Sequence, residues 1–162
     1  FVVLSSSDSN GRVDSSPKGD GAGFVRVLDE KTLLIPDRPG NKLAYGHLNI
    51  LENPQVGLLF IIPGTNETLR VNGTAKLRRD GDILNSMSAR GKPALLAIEV
   101  TVQECFFHCG KSFLRSKLWQ PVEWPRKYKV SFGEMYAQRK KLGSDVVKII
   151  DDSIENDYKE NL

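Results

Sequence analysis

Ile35-Pro36-Asp37-Arg38-Pro39-Gly40-Asn41-Lys42 stands where a strand pattern gives way to a helical one. From Lys42 onward, Leu43, His47 and Leu51 recur four apart, with Ala44 and Leu48 beside them, which is the spacing of one helix face. Gly40 and Asn41 sit at the junction, and Arg38 and Lys42 bring two cations to the start of the helix. Unpaired backbone N–H groups and the positive end of the helix dipole favour an anion at such a place. Cations in a first helical turn are unfavourable unless an anion compensates them, so the segment is a candidate anion cradle. The plainer alternative is an Asn-capped surface helix with incidental charges.

Working outward, Phe1 to Ser5 reads as a buried strand. Ser9-Asn10-Gly11 is a hairpin turn in which Asn-Gly supplies two positive-φ positions, and Arg12 to Ser16 returns as the partner. Pro17 to Gly21 is a loop, Phe24 to Leu28 a strand, Asp29-Glu30-Lys31 a turn, and Thr32 to Ile35 a fourth strand. Connections this tight predict an antiparallel meander. On the other side, Asn53-Pro54 ends the helix, since the residue before proline disfavours helical φ/ψ. Val56 to Ile62 is an apolar strand, Gly64 to Glu67 a turn, and Thr68 to Leu77 a strand whose Gly73 marks a bulge of the kind that bends a closing barrel. Asp80 to Ser88 is a short helix, Ala94 to Cys109 the longest strand, and Gly110 to Trp119 helix or turn. Pro121 to Pro125 is loop, and Glu134 to Leu142 and Val146 to Tyr158 are terminal helices. The fold class is mostly β within α+β: six or seven antiparallel strands, an inserted helix and a helical tail, as a small barrel in preference to a sandwich. One domain is expected over 1–162, with the barrel over about 1–119 and the extension over about 120–162.

Composition narrows the function. The 162 residues suit one domain with a sizeable core, and 40% apolar with 27% charged residues is globular. A net charge of +3 gives no argument for nucleic acid or an anionic membrane. No apolar run approaches the roughly 20 residues that span a bilayer. Phe1 to Leu4 is too short for a signal-peptide core, and the missing initiator Met predicts a start inside a longer chain. Two cysteines make no disulfide framework, so the expected location is cytoplasmic. The sequons at Asn66 and Asn72 then read as chance.

Three patterns are set aside. Gly110-Lys111-Ser112 lacks the glycine a nucleotide-triphosphate loop needs, because Cys105 stands in its place. Gly19 to Gly23 leads into a strand where a dinucleotide fingerprint demands a helix. Cys105, His108 and Cys109 suggest a metal, but strand positions four apart lie roughly 13 Å apart and His108 faces away from both cysteines. No metal site is expected, and both cysteines read as buried packing. His108 is the one candidate proton donor, with a satisfied structural histidine as the plainer reading.

The order of elements, with Arg38-Pro-Gly-Asn-Lys42, then Asn49 to Val56, then Arg70-Val-Asn-Gly73, resembles the FMN-binding split-barrel family that includes pyridoxamine 5′-phosphate oxidase. The resemblance runs from residue 1 to about residue 119. The branch of oxidase-related proteins carries Ser-Pro-(Lys/Arg)-Gly-Asp, Arg-Pro-Gly-Asn, Arg-Val-Asn-Gly, Phe-Phe-His-Cys and Arg-Ser-(Lys/Arg)-Leu-Trp, which stand here at 16–20, 38–41, 70–73, 106–109 and 115–119. It implies a homodimer with FMN at the subunit interface and an oxidoreductase acting on a small substrate, with the flavin doing the redox chemistry. On that resemblance Arg38, Asn41 and Lys42 hold the phosphate beside Pro36. Ser15, Ser16 and Lys18 line the isoalloxazine edge, Arg70 points inward to a phosphate or flavin carbonyl, the alternative being a solvent-facing strand residue, and Lys117 and Trp119 reach across from the second subunit. Trp119 also reads as an ordinary small-core anchor. Lys117-Leu118-Trp119-Gln120-Pro121 departs from the Arg-Leu-His-Asp-Arg-like substrate segment of the oxidase itself, so its vitamin substrate does not carry over. A flavin- or haem-binding or sensor module without catalysis, and a deazaflavin-dependent reductase, are the alternative readings of the same fold.

Overall fold

The computed structural model describes residues 1–40, 43–126 and 128–160. The chain divides into two compact units, Phe1–Pro121 and Val122–Leu162. In the first, seven strands form one antiparallel sheet: β1 (Val2–Ser7), β2 (Val13–Lys18), β3 (Arg26–Asp29), β4 (Thr32–Asp37), β5 (Gln55–Phe60), β6 (Thr68–Arg78) and β7 (Leu96–His108). Helix α1 (Tyr45–Glu52) enters between β4 and β5, α2 (Gly81–Ser86) between β6 and β7, and α3 (Lys111–Ser116) follows β7. In the second unit α4 (Phe132–Lys140) packs on α5 (Asp145–Glu160). Asp151 of α5 accepts hydrogen bonds from Ser131 and from the Gly133 N–H, tying the start of α4 to the middle of α5. Among the described residues no helix is long and apolar enough to cross a membrane.

The strand order is β2-β1-β5-β6-β7-β4-β3, which corrects the expected four-strand meander. Both early hairpins exist, but they occupy opposite ends of the sheet. β5 pairs with β1, and β4 pairs with β7. The first hairpin also turns differently. Its loop runs over five residues, 8–12, with only Gly11 at positive φ, and Asp8 Oδ1 accepts the N–H groups of Asn10 and Arg12. A local carboxylate thus does the work expected of a second positive-φ residue.

Five strand spacings of about 4.8 Å would put β2 and β4 roughly 24 Å apart in a flat sheet. Lys18 of β2 nevertheless reaches Asp37 of β4 at 2.7 Å. The sheet therefore curls into a barrel whose seam is bridged by side chains and not by a backbone ladder, a split barrel. Val2, Leu4, Ile35, Val56, Leu58, Val71, Ile98 and Val100 fill its interior, and Ile50 from α1 joins them. A satellite cluster of Leu34, Met87, Ala94 and Ala97 packs with Ile83 and Leu84 of α2. Gly73 does mark a bulge: Asn72 faces Glu104 and Gly73 faces Val102, so the extra residue is Gln103 on β7. A Cβ on Gly73 would sit 2.1 Å from the Thr101 carbonyl oxygen.

Helix α1 turns a face other than the expected Leu43/His47/Leu51 stripe. Gly46, His47, Asn49 and Ile50 are buried, while Leu43, Leu48 and Leu51 are exposed. Gly46 lies over Leu4 and Ser6 of β1, and Asn49 donates to Ser6 Oγ at 3.1 Å. The inward stripe is partly polar because it rests on a serine, and an apolar count points the wrong way. The cysteines also differ from expectation: both are exposed and unbridged.

Candidate functional site

Three polar side chains converge at the seam. Lys18 Nζ donates to Asp37 Oδ1 at 2.7 Å, with both side chains more than nine-tenths buried. His47 brings Nε2 to 3.3 Å from the same oxygen, but off the line that an N–H···O bond requires, so this buried nitrogen lacks a hydrogen-bond partner among the described residues. Burial pushes the Asp37 carboxyl up; the contacts of His47 and Lys18 outweigh it and hold the group below the usual carboxylate range. Asp37 is therefore an anion at neutral pH, clamped between two basic groups.

The next residue works on the other side of the strand. Arg38 donates from Nε to Asp20 Oδ2 at 2.7 Å and from Nη2 to the Met87 carbonyl at 2.8 Å. Its Nη1 is buried with no acceptor among the described residues. The Gly21 N–H and, against the opposing effect of burial, the Arg38 guanidinium hold the Asp20 carboxyl below its usual range. Arg38 and Arg26 line a cavity of about 200 Å³ together with Ser88 and the loop Gly21 to Phe24. Arg26 itself donates to the Ser86 carbonyl. Asp20 lines the same cavity with its charge engaged by Arg38, and two guanidiniums, a hydroxyl and a glycine loop around it form an anion-binding donor set.

Sequence-picked residues distribute unevenly around this cradle. Pro36 is buried on β4 beside Asp37. Ser16 and Lys18 pair with the core residues Leu4 and Val2, so they point inward, whereas Ser15 pairs with Ser5 on the outer face and shares a hydroxyl contact with it at 3.1 Å. Ser15 and Ser16 thus lie on opposite faces of β2, as neighbours on a strand must, and do not together line one flavin edge. Lys18 is committed to Asp37, not a free ammonium. Arg70 is exposed on the outer face of β6, opposite Leu59 and Phe106 in register, and does not point inward. His108 is exposed at the end of β7. Trp119 donates its indole N–H to the Thr65 carbonyl at 2.8 Å and meets Phe113 edge to face at 5.8 Å, the anchoring role within its own chain. Lys117 is exposed in the left-handed conformation that caps α3. Asn41 and Lys42 lie outside the described residues.

Asp37, His47, Asp20 and Arg26 belong to the constellation without having been singled out. Asp20 had a signal, a carboxylate within Ser-Pro-Lys-Gly-Asp. Arg26 had none, since a cation on a four-residue strand is ordinarily a solvated one.

The family model described as pyridoxamine 5′-phosphate oxidase matches residues 1–109. No curated protein matches the sequence. Among solved structures, HupZ of Group A Streptococcus aligns at 18% identity with a TM-score of 0.52, over 65% of this chain and 82% of that one. General Stress Protein 26 of Bacillus anthracis aligns at 18% identity with a TM-score of 0.48, over 65% and 81%. HutZ, the heme storage protein of Vibrio cholerae, aligns at 15% identity with a TM-score of 0.44, over 67% and 84%.

Proposed function

The chain belongs to the pyridoxamine 5′-phosphate oxidase family, and on that premise we propose that it is an FMN-dependent oxidoreductase that acts on a small substrate as a homodimer. The observation that carries the reading is Arg38. Its buried Nη1 lacks an acceptor among the described residues, and an unmade hydrogen bond of this kind costs about 1–3 kcal/mol, more for a charged group. A phosphate oxygen supplies that acceptor, and Arg26 and Ser88 on the same cavity fit its remaining oxygens. The residues present thus suit the phosphate end of FMN, with Asn41 and Lys42 next in the chain. Bound FMN supplies hydride or electron exchange; the protein supplies anchoring, orientation and field.

Each residue has its task in this reading. Asp20 and the Met87 carbonyl hold the Arg38 guanidinium in place before any ligand arrives, so little rotamer freedom is lost on binding. Lys18 and His47 hold Asp37, and through it the strand end that carries Arg38. The dimer draws support from the exposed Leu48 and Leu51 on α1 and from Arg70, which is exposed on the outer face of β6.

Purified full-length chain should carry a flavin spectrum or take up FMN when stripped. Arg38→Ala should weaken FMN about 10- to 100-fold, the worth of one charge-assisted contact to phosphate, and leave riboflavin affinity unchanged. Full flavin occupancy in Arg38→Ala, or equal losses for FMN and riboflavin, would overturn the cradle.

A further inference from the structure

One end of the barrel is open on its inner side. Cys105 and Phe107 of β7 face Val71 and Leu69 of β6 in register, on the row that lines the interior. Yet Cys105 is exposed, and Phe107 is 79% exposed. Inward-facing apolar residues left in solvent call for a cover. Beneath the opening lies a cavity of about 450 Å³, walled by Leu33, Phe60, Leu69 and Val102, which also pack against the main core. That volume falls in the range of roughly 300–1,000 Å³ typical of small-molecule sites.

The polar groups at this mouth have one sign. Apart from the Cys105 thiol, the only ionisable lining residues among those described are Asp29 and Glu30, at the turn between β3 and β4. Asp29 Oδ1 accepts the Lys31 N–H at 2.8 Å, and that bond, with the Thr32 hydroxyl, keeps the carboxyl below its usual range. Among the described residues no cation lines the cavity. An apolar ligand with a positive end would meet walls and rim together, whereas an anionic one would meet two carboxylates.

We propose that the open mouth of the barrel is a binding site for small amines with an apolar body, the body seated on Leu33, Phe60, Leu69 and Val102 and the ammonium at Asp29 and Glu30. The site is distinct from the Arg38 cradle, with which it shares only the wall Gly23-Phe24. It does not rest on the flavin reading. An amine docked here loses water from its apolar part and keeps its charged end at a solvated rim, where its partners are already anionic.

Cys105 reports on the site, and Cys109, also exposed but not lining the cavity, is its internal control. The test alkylates the full chain with N-ethylmaleimide and follows both cysteines by peptide mass spectrometry. Saturating 4-phenylbutylamine should slow Cys105 by about tenfold, as a ligand at ten times its dissociation constant does, and leave Cys109 unchanged. The isosteric 4-phenylbutyrate should protect far less. Glu30→Gln, on an exposed turn, should narrow the gap between the two probes, and Val102→Phe should abolish protection by filling the cavity. Equal rates with and without the amine would overturn the site. So would equal protection of both cysteines, protection by FMN alone, or protection that rises with protein concentration and no probe, which would make a second copy the cover. Equal protection by amine and carboxylate would overturn the assigned ligand class.

Discussion

Replacing Lys18 by methionine keeps the length and apolar stem of the side chain and removes the ammonium. Asp37 is then left more than nine-tenths buried, with only the off-line His47 nitrogen at 3.3 Å among the described residues. Removing one partner of a buried ion pair typically costs about 3–5 kcal/mol, because the surviving charge keeps its desolvation penalty and loses its compensation. In a barrel of this size each kcal/mol moves the melting temperature by about 3–6 °C, so a fall of roughly 10–30 °C is expected. Asp37→Asn paired with Lys18→Met removes the stranded carboxylate and should recover a large part of the loss. pH gives a second reading. The folded-state pKa of Asp37 is depressed, so between the folded and unfolded values the unfolded chain binds more protons. Its contribution is present above the unfolded carboxylate value of about 3.9 and is lost as pH falls through the folded one. Urea denaturation of the parent should therefore lose stability below about pH 4 more steeply than the double variant does. A Lys18→Met protein within about 1 kcal/mol of the parent, or a double variant as weak as the single, would refute the clamp.

Gly73→Ala should destabilise by about 1–3 kcal/mol or more, since the new Cβ meets the Thr101 carbonyl oxygen at 2.1 Å in backbone that cannot swing away; Gly21→Ala, with nothing within 4 Å of the added carbon, is the control and should stay within about 0.5 kcal/mol, both read from chemical denaturation. If FMN bridges two chains, adding it to stripped protein should raise both the melting temperature and the dimer fraction by linkage, measured by light scattering, and a monomer that binds FMN stoichiometrically would refute the interface.

Element order was readable because turn chemistry is local. Asn53-Pro54 stops α1 and Gly73 marks the bulge for reasons contained within a few residues. The placement of the two early hairpins was not, because β1 and β4 find partners through β5 and β7, and nothing in either hairpin records which edge it will occupy. The helix face failed for a related reason. Periodicity assumes that the buried stripe is the apolar one, and α1 rests Gly46 and Asn49 on β1 while leaving Leu48 and Leu51 outside. For the site, the sequence showed that Arg38 stands at a strand end, but its partners Asp20 and Met87 come from distant turns. Lys18 is similar: a cation after a strand carries no sign of which carboxylate it will meet across a seam. The cysteines were misread because the barrel is open where β7 ends, and an inward-facing position is buried only if the barrel closes over it.

Asp37 and Arg38 are consecutive, and that adjacency ties the barrel's closure to its anion cradle. Neighbouring side chains at a strand end leave the backbone on opposite sides, so Asp37 turns to the seam and Arg38 to the cavity with Arg26. The peptide between them cannot move on one side alone. Loosening the Lys18 clamp would let the strand end shift and carry the Arg38 guanidinium away from Asp20 and the Met87 carbonyl, which hold it at 2.7 and 2.8 Å. A weaker FMN affinity in Lys18→Met is therefore not evidence that Lys18 touches the cofactor. The double variant separates the two cases. If Lys18 acts only through Asp37, restoring the seam with Asp37→Asn restores affinity along with stability. If the ammonium contacts the ligand directly, stability returns and affinity does not.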